Sequence, residues 1–325
     1  MNAPIVAVTG ASGFIGRYTC ASLLARGFRV RALLRRSIQV PGCDNVVLDP
    51  ADGAGLAAAL AGVSSLVHLA GRAHVLHEGS GDALAEFRRV NVEGSRIVAE
   101  ASARAGVGHL LFVSSIAAVV VTSEVPVDES VTPAPGTPYG ISKLEAEQVF
   151  VRVAADTGMR CTILRPPMVI GPGMRGNPRT LLGLIARGVP LPLRGVGGKR
   201  SMLYVENLAA AIVHAIASPP PSGIYHLADT PPMTVAEFAE GLGAAQGRSP
   251  RIVAVPFGWL VAMARIGDFL APMLPMPLTS DRLRRAVGPL VVDSRKFASV
   301  TGFVSPISLD EALRRTATMR EVATA

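Results

Sequence analysis

Cysteine, aromatic residues and charge are all scarce in this chain of 325 residues. The three cysteines, Cys20, Cys43 and Cys161, are odd in number and widely spaced in sequence. That excludes a disulfide scaffold and a zinc-type ligand set, and predicts reduced thiols in a cytoplasmic protein. Aromatics make up 5% and charged residues 17% against 49% hydrophobic, so a sizeable core is expected and disorder is not. Lysine is nearly missing: Lys143, Lys199 and Lys296 are the three among 32 basic residues. The formal charge of +8 could signal a nucleic-acid partner. No basic run with interleaved aromatics accompanies it, so arginines on solvated faces, with a few for ligand phosphates, are the expected account.

Long uninterrupted apolar runs are also missing. The opening Met1-Asn2-Ala3-Pro4 leads straight into a short apolar segment without a basic leader, which predicts no export signal. The most apolar later stretch, residues 257–278, is broken by Arg265, Asp268 and several prolines. A membrane span needs about 20 continuous apolar residues, so a buried or amphipathic helix is predicted there. Peripheral membrane contact is the lesser alternative. His74 and His77 lack acidic or cysteine companions at ligand spacing, and no metal site is expected.

What is present is a rhythm of β-branched runs alternating with helical patterns. Strands are predicted at 5–9, 28–34, 46–48, 66–69, 110–114 and 161–164, and helices at 14–26, 52–61, 82–105 and 138–157. Such alternation needs crossover connections and gives an α/β, doubly wound parallel sheet covered on both faces. After Arg165 proline and glycine become frequent, with short helices at 180–187, 207–217, 235–245 and 309–316 and short strands at 202–205 and 224–227. Thr234 with Glu237, and Ser308 with Glu311, have capping-box spacing. The expected organisation is a dinucleotide-binding domain over 1–165 and a smaller α/β substrate lobe over 166–325, interleaved with the first.

Thr9-Gly10-Ala11-Ser12-Gly13-Phe14-Ile15-Gly16 follows the first strand and opens the first helix. Glycines three apart let the backbone turn tightly and let a pyrophosphate approach the helix N-terminus. At the end of the second strand a carboxylate would bind ribose hydroxyls, whereas arginine accommodates a 2′-phosphate. The sequence there has Arg35-Arg36-Ser37 and no acid, favouring NADP(H), with NAD(H) possible. Asp49 is a candidate for the adenine amino group, and His68-Leu69-Ala70-Gly71 for close backbone approach to the cofactor.

Thr137-Pro138-Tyr139-Gly140-Ile141-Ser142-Lys143 combines an N-cap, a proline at the first helical position, and Tyr and Lys at i and i+4 on one face. Carbonyl–alcohol interconversion by hydride transfer needs a group that gives or takes the alcohol proton. A phenol near a cation can do so, because the cation stabilises phenolate. A serine after the fifth strand would polarise the carbonyl; Ser114 and Ser115 are both candidates, and Ser115 is favoured.

Taken together, these residues resemble the extended short-chain dehydrogenase/reductases of the NAD-dependent epimerase/dehydratase family. The likeness rests on Thr9–Gly16, Asp49, His68–Gly71, Asn91-Val92-Glu93-Gly94, Ser114-Ser115, Asp128-Glu129, Tyr139–Lys143 and Arg165-Pro166, in that order. It implies a Rossmann fold and a Ser115–Tyr139–Lys143 triad, with Asn91, Ser114 and Pro166 beside the cofactor. Further stretches, including Phe87–Gly94, Gly171-Pro172-Gly173 and Arg200-Ser201, resemble bacterial UDP-sugar 4-epimerase-like proteins and UDP-N-acetylquinovosamine 4-reductases. By that likeness Asn177 and Arg200 would meet a nucleotide diphosphate, UDP-linked by preference, and helices 82–105 and 138–157 would form a homodimer. The run Ile116-Ala117-Ala118-Val119-Val120-Val121 departs from the Tyr-Gly of many epimerases. The implied activity is reduction of a 4-keto sugar; the alternatives are 4-epimerisation with retained NAD, or a non-catalytic dinucleotide sensor or scaffold.

Overall fold

The computed structural model describes residues 3–73, 82–174, 177–195, 197–271 and 279–318. His74, His77 and the side chain of Asn177 lie outside the described residues. The strands run in chain order as β1 (Ile5–Thr9), β2 (Arg29–Leu34), β3 (Asp44–Val47), β4 (Val63–His68), β5 (His109–Val113) and β6 (Arg160–Arg165). They continue as β7 (Met168–Ile170), β8 (Leu191–Arg194), β9 (Arg200–Tyr204), β10 (Gly223–His226), β11 (Asp229–Met233) and β12 (Ile252–Ala254).

Seven of them form one sheet in the order β10-β6-β5-β4-β1-β2-β3, every neighbouring pair parallel. Chain order reverses between β1 and β4, and the crevice at such a switch point is where open parallel sheets bind ligands. The central strands are apolar on both faces, as a doubly covered sheet requires; β5, His-Leu-Leu-Phe-Val, is buried throughout. Tenth in sequence, β10 completes the sheet from within the second half of the chain.

Helices α1 (Phe14–Ala25), α2 (Gly53–Ala59), α3 (Ala83–Phe87), α4 (Gly94–Arg104) and α5 (Pro138–Thr157) belong to the first half. The second half holds α6 (Asn177–Ala186), α7 (Val205–Ala217), α8 (Val235–Ala245), α9 (Phe257–Leu270), α10 (Ser280–Val287), α11 (Arg295–Thr301) and α12 (Leu309–Ala317). Two apolar cores cover the sheet faces. One joins β1 and β2 to Leu208, Ile212 and Ile216 of α7; the other packs Leu56, Val98 and Phe150 of α2, α4 and α5 on β4, β5 and β6. A third core, with Tyr204, Phe238, Leu242 and Leu313, holds the C-terminal lobe together.

Where caps are strong, predicted and observed ends coincide. Thr137 accepts from the Gly140 amide and Pro138 occupies the first turn of α5, which Gly158 ends in a left-handed conformation (φ 72°). Thr234 and Glu237 close a full capping box on α8. Ser308 makes only half of its predicted box, accepting from the Glu311 amide. The single helix expected over 82–105 is instead α3, a π-helical turn at Arg88–Glu93 and α4. Cys20 and Cys43, far apart in sequence, meet in space: the hydrogen bond that the Cys20 thiol donates to Cys43, together with burial, raises the Cys20 thiol.

Candidate active site

The C-terminal ends of β1, β4 and β5 deliver the cofactor and catalytic candidates to one edge of the sheet. Gly10 follows β1 with φ +69°, and a Cβ there would lie 2.7 Å from the Ala70 amide nitrogen. A Cβ on Gly16 would lie 2.1 Å from the Gly10 carbonyl oxygen. Both positions therefore need glycine on steric grounds. Gly13 caps α1 without any side chain accepting from the helix amides, and the first turn carries no acid. These free amides and the positive helix end form a cradle that fits a dinucleotide pyrophosphate.

Thr9 and His68 organise the wall of this crevice. Thr9 Oγ1 accepts from the Leu69 and Ala70 amides at 3.3 Å each, so its own proton goes to His68 Nδ1 at 2.7 Å. His68 Nε2–H then faces Ser95 Oγ at 3.3 Å. Burial, with Lys143 nearby, pushes the His68 imidazole down to about 3, so it is neutral. The Thr9 hydroxyl thereby locks Leu69-Ala70-Gly71 against Gly10, leaving a small-residue floor.

Arg35 and Arg36 are exposed beyond β2. Thr9 pairs with Leu33 in the sheet, so these arginines emerge on the same edge as Gly10. Neither forms an ion pair among the described residues. Asp49 is exposed, and its carboxylate accepts the Ala51 amide at 2.9 Å.

Tyr139, Lys143 and Glu147 fall on successive turns of one α5 face. Burial raises the Tyr139 phenol, and the neighbouring Ser115 side chain acts in the opposite direction. Ser115 Oγ also accepts the Ala117 amide at 3.2 Å, fixing its rotamer. Among the described residues the Ser114 hydroxyl is buried without a partner, and the Ser114 amide donates to the Leu164 carbonyl. Thus Ser115, rather than Ser114, is the serine that acts on the Tyr139 phenol.

Lys143 Nζ donates to the Val113 carbonyl at 2.9 Å and sits 4.1 Å from the centre of the Phe112 ring. Burial pushes its amine down to about 7, with Glu147 acting in the opposite direction. Glu147 is itself neutralised by Arg165, through bonds of 2.9 and 2.6 Å, with both side chains almost wholly buried. Phe87 packs edge-on against Tyr139 at 5.9 Å.

Asn91 lies in the π-helical turn and acts as a strut. Its Oδ1 accepts the Arg72 amide at 2.8 Å, and its Nδ2 donates to the Arg72 carbonyl at 3.1 Å and Ser142 Oγ at 2.9 Å. Ser142 passes a 2.8 Å bond to the Tyr139 carbonyl. Pro166 is buried, and its carbonyl accepts the Ile116 amide at 2.9 Å. Arg200 is half-buried and donates to the Gly288 carbonyl, so it is already anchored within the lobe.

Sequence reasoning did not find the Thr9–His68–Ser95 chain or the pairing of Glu147 with Arg165. The latter had a signal: Glu147 continues the i, i+4 series begun by Tyr139 and Lys143. No group of three or more potential metal ligands occurs among the described residues.

Residues 6–228 match the NAD dependent epimerase/dehydratase family. A UDP-glucose 4-epimerase of Vibrio cholerae is 29% identical over 320 residues, covering 96% of this chain and 94% of its own. A ceramide reductase of Caulobacter vibrioides is 32% identical over 282 residues, 84% of this chain and 80% of its own. Among solved structures, UDP-N-acetylglucosamine 4-epimerase from Bacillus cereus superposes with a TM-score of 0.78 at 21% identity, over 98% of this chain and all of that one. The match spans the glycine cradle, Ser115 and the Tyr139–Lys143 helix, and the chain belongs to the NAD-dependent epimerase/dehydratase family of extended short-chain dehydrogenase/reductase enzymes.

Proposed function

We propose that the chain is an NADPH-dependent reductase of a 4-keto group on a nucleotide-linked sugar, UDP-linked by preference. The observation that carries the chemistry is the Tyr139 phenol, which the neighbouring Ser115 side chain lowers against burial, one helical turn from the buried Lys143 amine. When bound, the nicotinamide supplies the hydride. Ser115 Oγ holds the carbonyl oxygen, and Tyr139 Oη gives up its proton as that oxygen becomes an alcohol. Lys143, held at the Val113 carbonyl and pushed down to about 7, is charged at neutral pH in part; its charge favours the phenolate that remains.

Support for the 2′-phosphorylated cofactor comes from Arg35 and Arg36, exposed at the edge where β2 ends with no carboxylate in that turn. Arg200 and Asn177 are assigned to the diphosphate of the substrate. A homodimer through α4 and α5, and a cytoplasmic site of action consistent with the free thiols, complete the reading.

A second reading is 4-epimerisation with retained NAD, favoured by the near full-length similarity to the Vibrio cholerae enzyme. Incubation with a 4-keto UDP-sugar and NADPH separates the two. The reductase consumes one NADPH per sugar, and NADP(H) gives the larger thermal shift at equal concentration. Interconversion of two UDP-sugars without added cofactor, with NAD retained on the purified protein, would overturn it. A protein that shifts with dinucleotide but turns over neither substrate class would instead support the sensor reading.

A further inference from the structure

α9 is apolar on both sides, but the described residues cover only one of them. Leu260, Ala264 and Gly267 face inward, against Leu283 and Val287 of α10. On the opposite side Trp259, Met263, Ile266 and Phe269 are 68%, 55%, 58% and 79% exposed. At 3.6 residues per turn these four span an arc of about 120°. Ala262 lies within that arc and is also exposed. No charged side chain interrupts it; Arg265 stands at its border.

The surroundings are basic. Residues 246–290 carry six arginines (248, 251, 265, 282, 284 and 285) against two acids, Asp268 and Asp281, a surplus of +4 within a chain total of +8. Both acids are engaged: Asp268 accepts the Ser280 amide, and Asp281 pairs with Arg284 and Arg285. The inner side of the α9–α10 pair, through Val261, Leu283, Arg284 and Val287, walls an open cavity of about 590 Å³ bounded by Gly195, Gly197 and Gly198.

We propose that the outer face of α9 seats the protein in the headgroup plane of an anionic lipid bilayer. A helix with a wide apolar arc, an aromatic toward each end of its length, and an arginine at the border of the arc within a chain segment of net positive charge has the chemistry of an interfacial helix, lying in the surface without crossing it. No helix among the described residues is long and apolar enough to cross a membrane. The competing occupant is a second copy of the chain. A 14-residue helix is about 21 Å long, and an arc roughly 10 Å wide offers about 200 Å². A stable dimer needs about 800 Å² per partner, so the arc alone is too small for one. A bilayer sets no such minimum and matches the charge.

Trp259 is the single tryptophan, so its fluorescence reports on this face alone. The full chain is titrated with phosphatidylcholine vesicles with and without phosphatidylglycerol, and with brominated-chain lipid as a quencher. The proposal expects a shift to shorter wavelength and quenching on anionic vesicles. Binding should be more than about tenfold weaker on neutral vesicles or in high salt. The double variant Ile266→Asp/Phe269→Asp should abolish the shift while leaving cofactor-induced thermal stabilisation intact.

Two results overturn it. Emission already at short wavelength without lipid, and unmoved by vesicles, would mean that the protein's own chain covers the arc. A shift that follows protein concentration, with a sedimenting dimer and no response to vesicles, would assign the face to a second copy. Because no substrate is used, these outcomes are independent of the reaction proposed above.

Discussion

The candidate catalytic edge of α5 and the α9–α10 hairpin invert the usual distribution of side chains in opposite ways. At the catalytic edge charge is inside: Lys143, Glu147 and Arg165 are each at most 6% exposed. At the hairpin hydrocarbon is outside, on Trp259, Met263, Ile266 and Phe269. Burying an ion costs several kcal/mol unless partners compensate, and a contiguous exposed apolar stripe contributes nothing to folding. The first inversion is satisfied within the chain, through Val113, Phe112 and the Glu147–Arg165 pair. The second has no internal answer among the described residues, which is why it points outward.

The largest expected effect breaks the catalytic side of this contrast. Tyr139→Phe removes the phenolic proton while keeping the ring against Phe87. Turnover should fall by about 10²–10⁴, the range typical of a lost general acid, with the dinucleotide dissociation constant unchanged. Steady-state kinetics beside a fluorescence titration of cofactor would check both. Unimpaired turnover would sink the assignment.

Glu147→Gln tests how the buried charges are held. It leaves Arg165 ionised without its bidentate partner, and breaking a buried pair on one side costs about 3–5 kcal/mol. Urea unfolding should show that loss. The Lys143 amine should also move below about 7, since Glu147 now raises it. A pH–rate limb that belongs to Lys143 would shift to lower pH.

A smaller effect concerns His68 and acid. The unfolded imidazole takes its proton near 6.5, whereas burial holds the folded one down to about 3. Between those values the unfolded state binds more protons, so folding stability falls as pH falls from about 6.5 towards 3. At pH 5 the loss from this residue is about 2 kcal/mol. His109, pushed down to about 4 by burial and by Arg160, adds in the same direction. His68→Asn should therefore flatten, without abolishing, the slope of stability against pH measured by denaturant midpoints. An unchanged slope would show that His68 titrates alike in both states.

Legibility in the sequence followed the strength of local signals. β1, α5 and α8 have the predicted bounds because a glycine loop, Thr137 with Pro138, and the Thr234 box mark their ends. The Tyr139–Lys143 spacing predicted a shared face, and of the two serines offered by the sequence it is Ser115 that neighbours the phenol. The π-helical turn had no such signal: it is pinned by Asn91 contacts to Arg72 and Ser142, which are distant in sequence. β7 and β12 are three residues each, too short for an alternation to register. β11 contains Pro231 and Pro232, which argue against a strand; it survives at a sheet edge, paired only through Asp229 and Met233. Cys20 and Cys43 meet because α1 and the β2–β3 connection fold together, a contact that spacing cannot announce.

The helix expected at 257–278, buried or amphipathic, is present as α9, but with both faces apolar the sequence does not tell which one is covered. The smallest predicted effect separates them. Leu260→Ala, on the inner face, should cost about 2 kcal/mol by leaving a gap against Leu283 and Val287. Ile266→Asp, one and a half turns along on the outer face, should change stability by no more than about 0.5 kcal/mol, because solvent already surrounds that side chain. Urea midpoints at constant m would measure both. A cost for Ile266→Asp as large as that for Leu260→Ala would mean the outer arc is packed in solution, removing the contrast with the catalytic edge. Near-neutrality, together with loss of vesicle binding, would show that the hydrocarbon on this face serves a contact beyond the fold and that the two inversions have different causes.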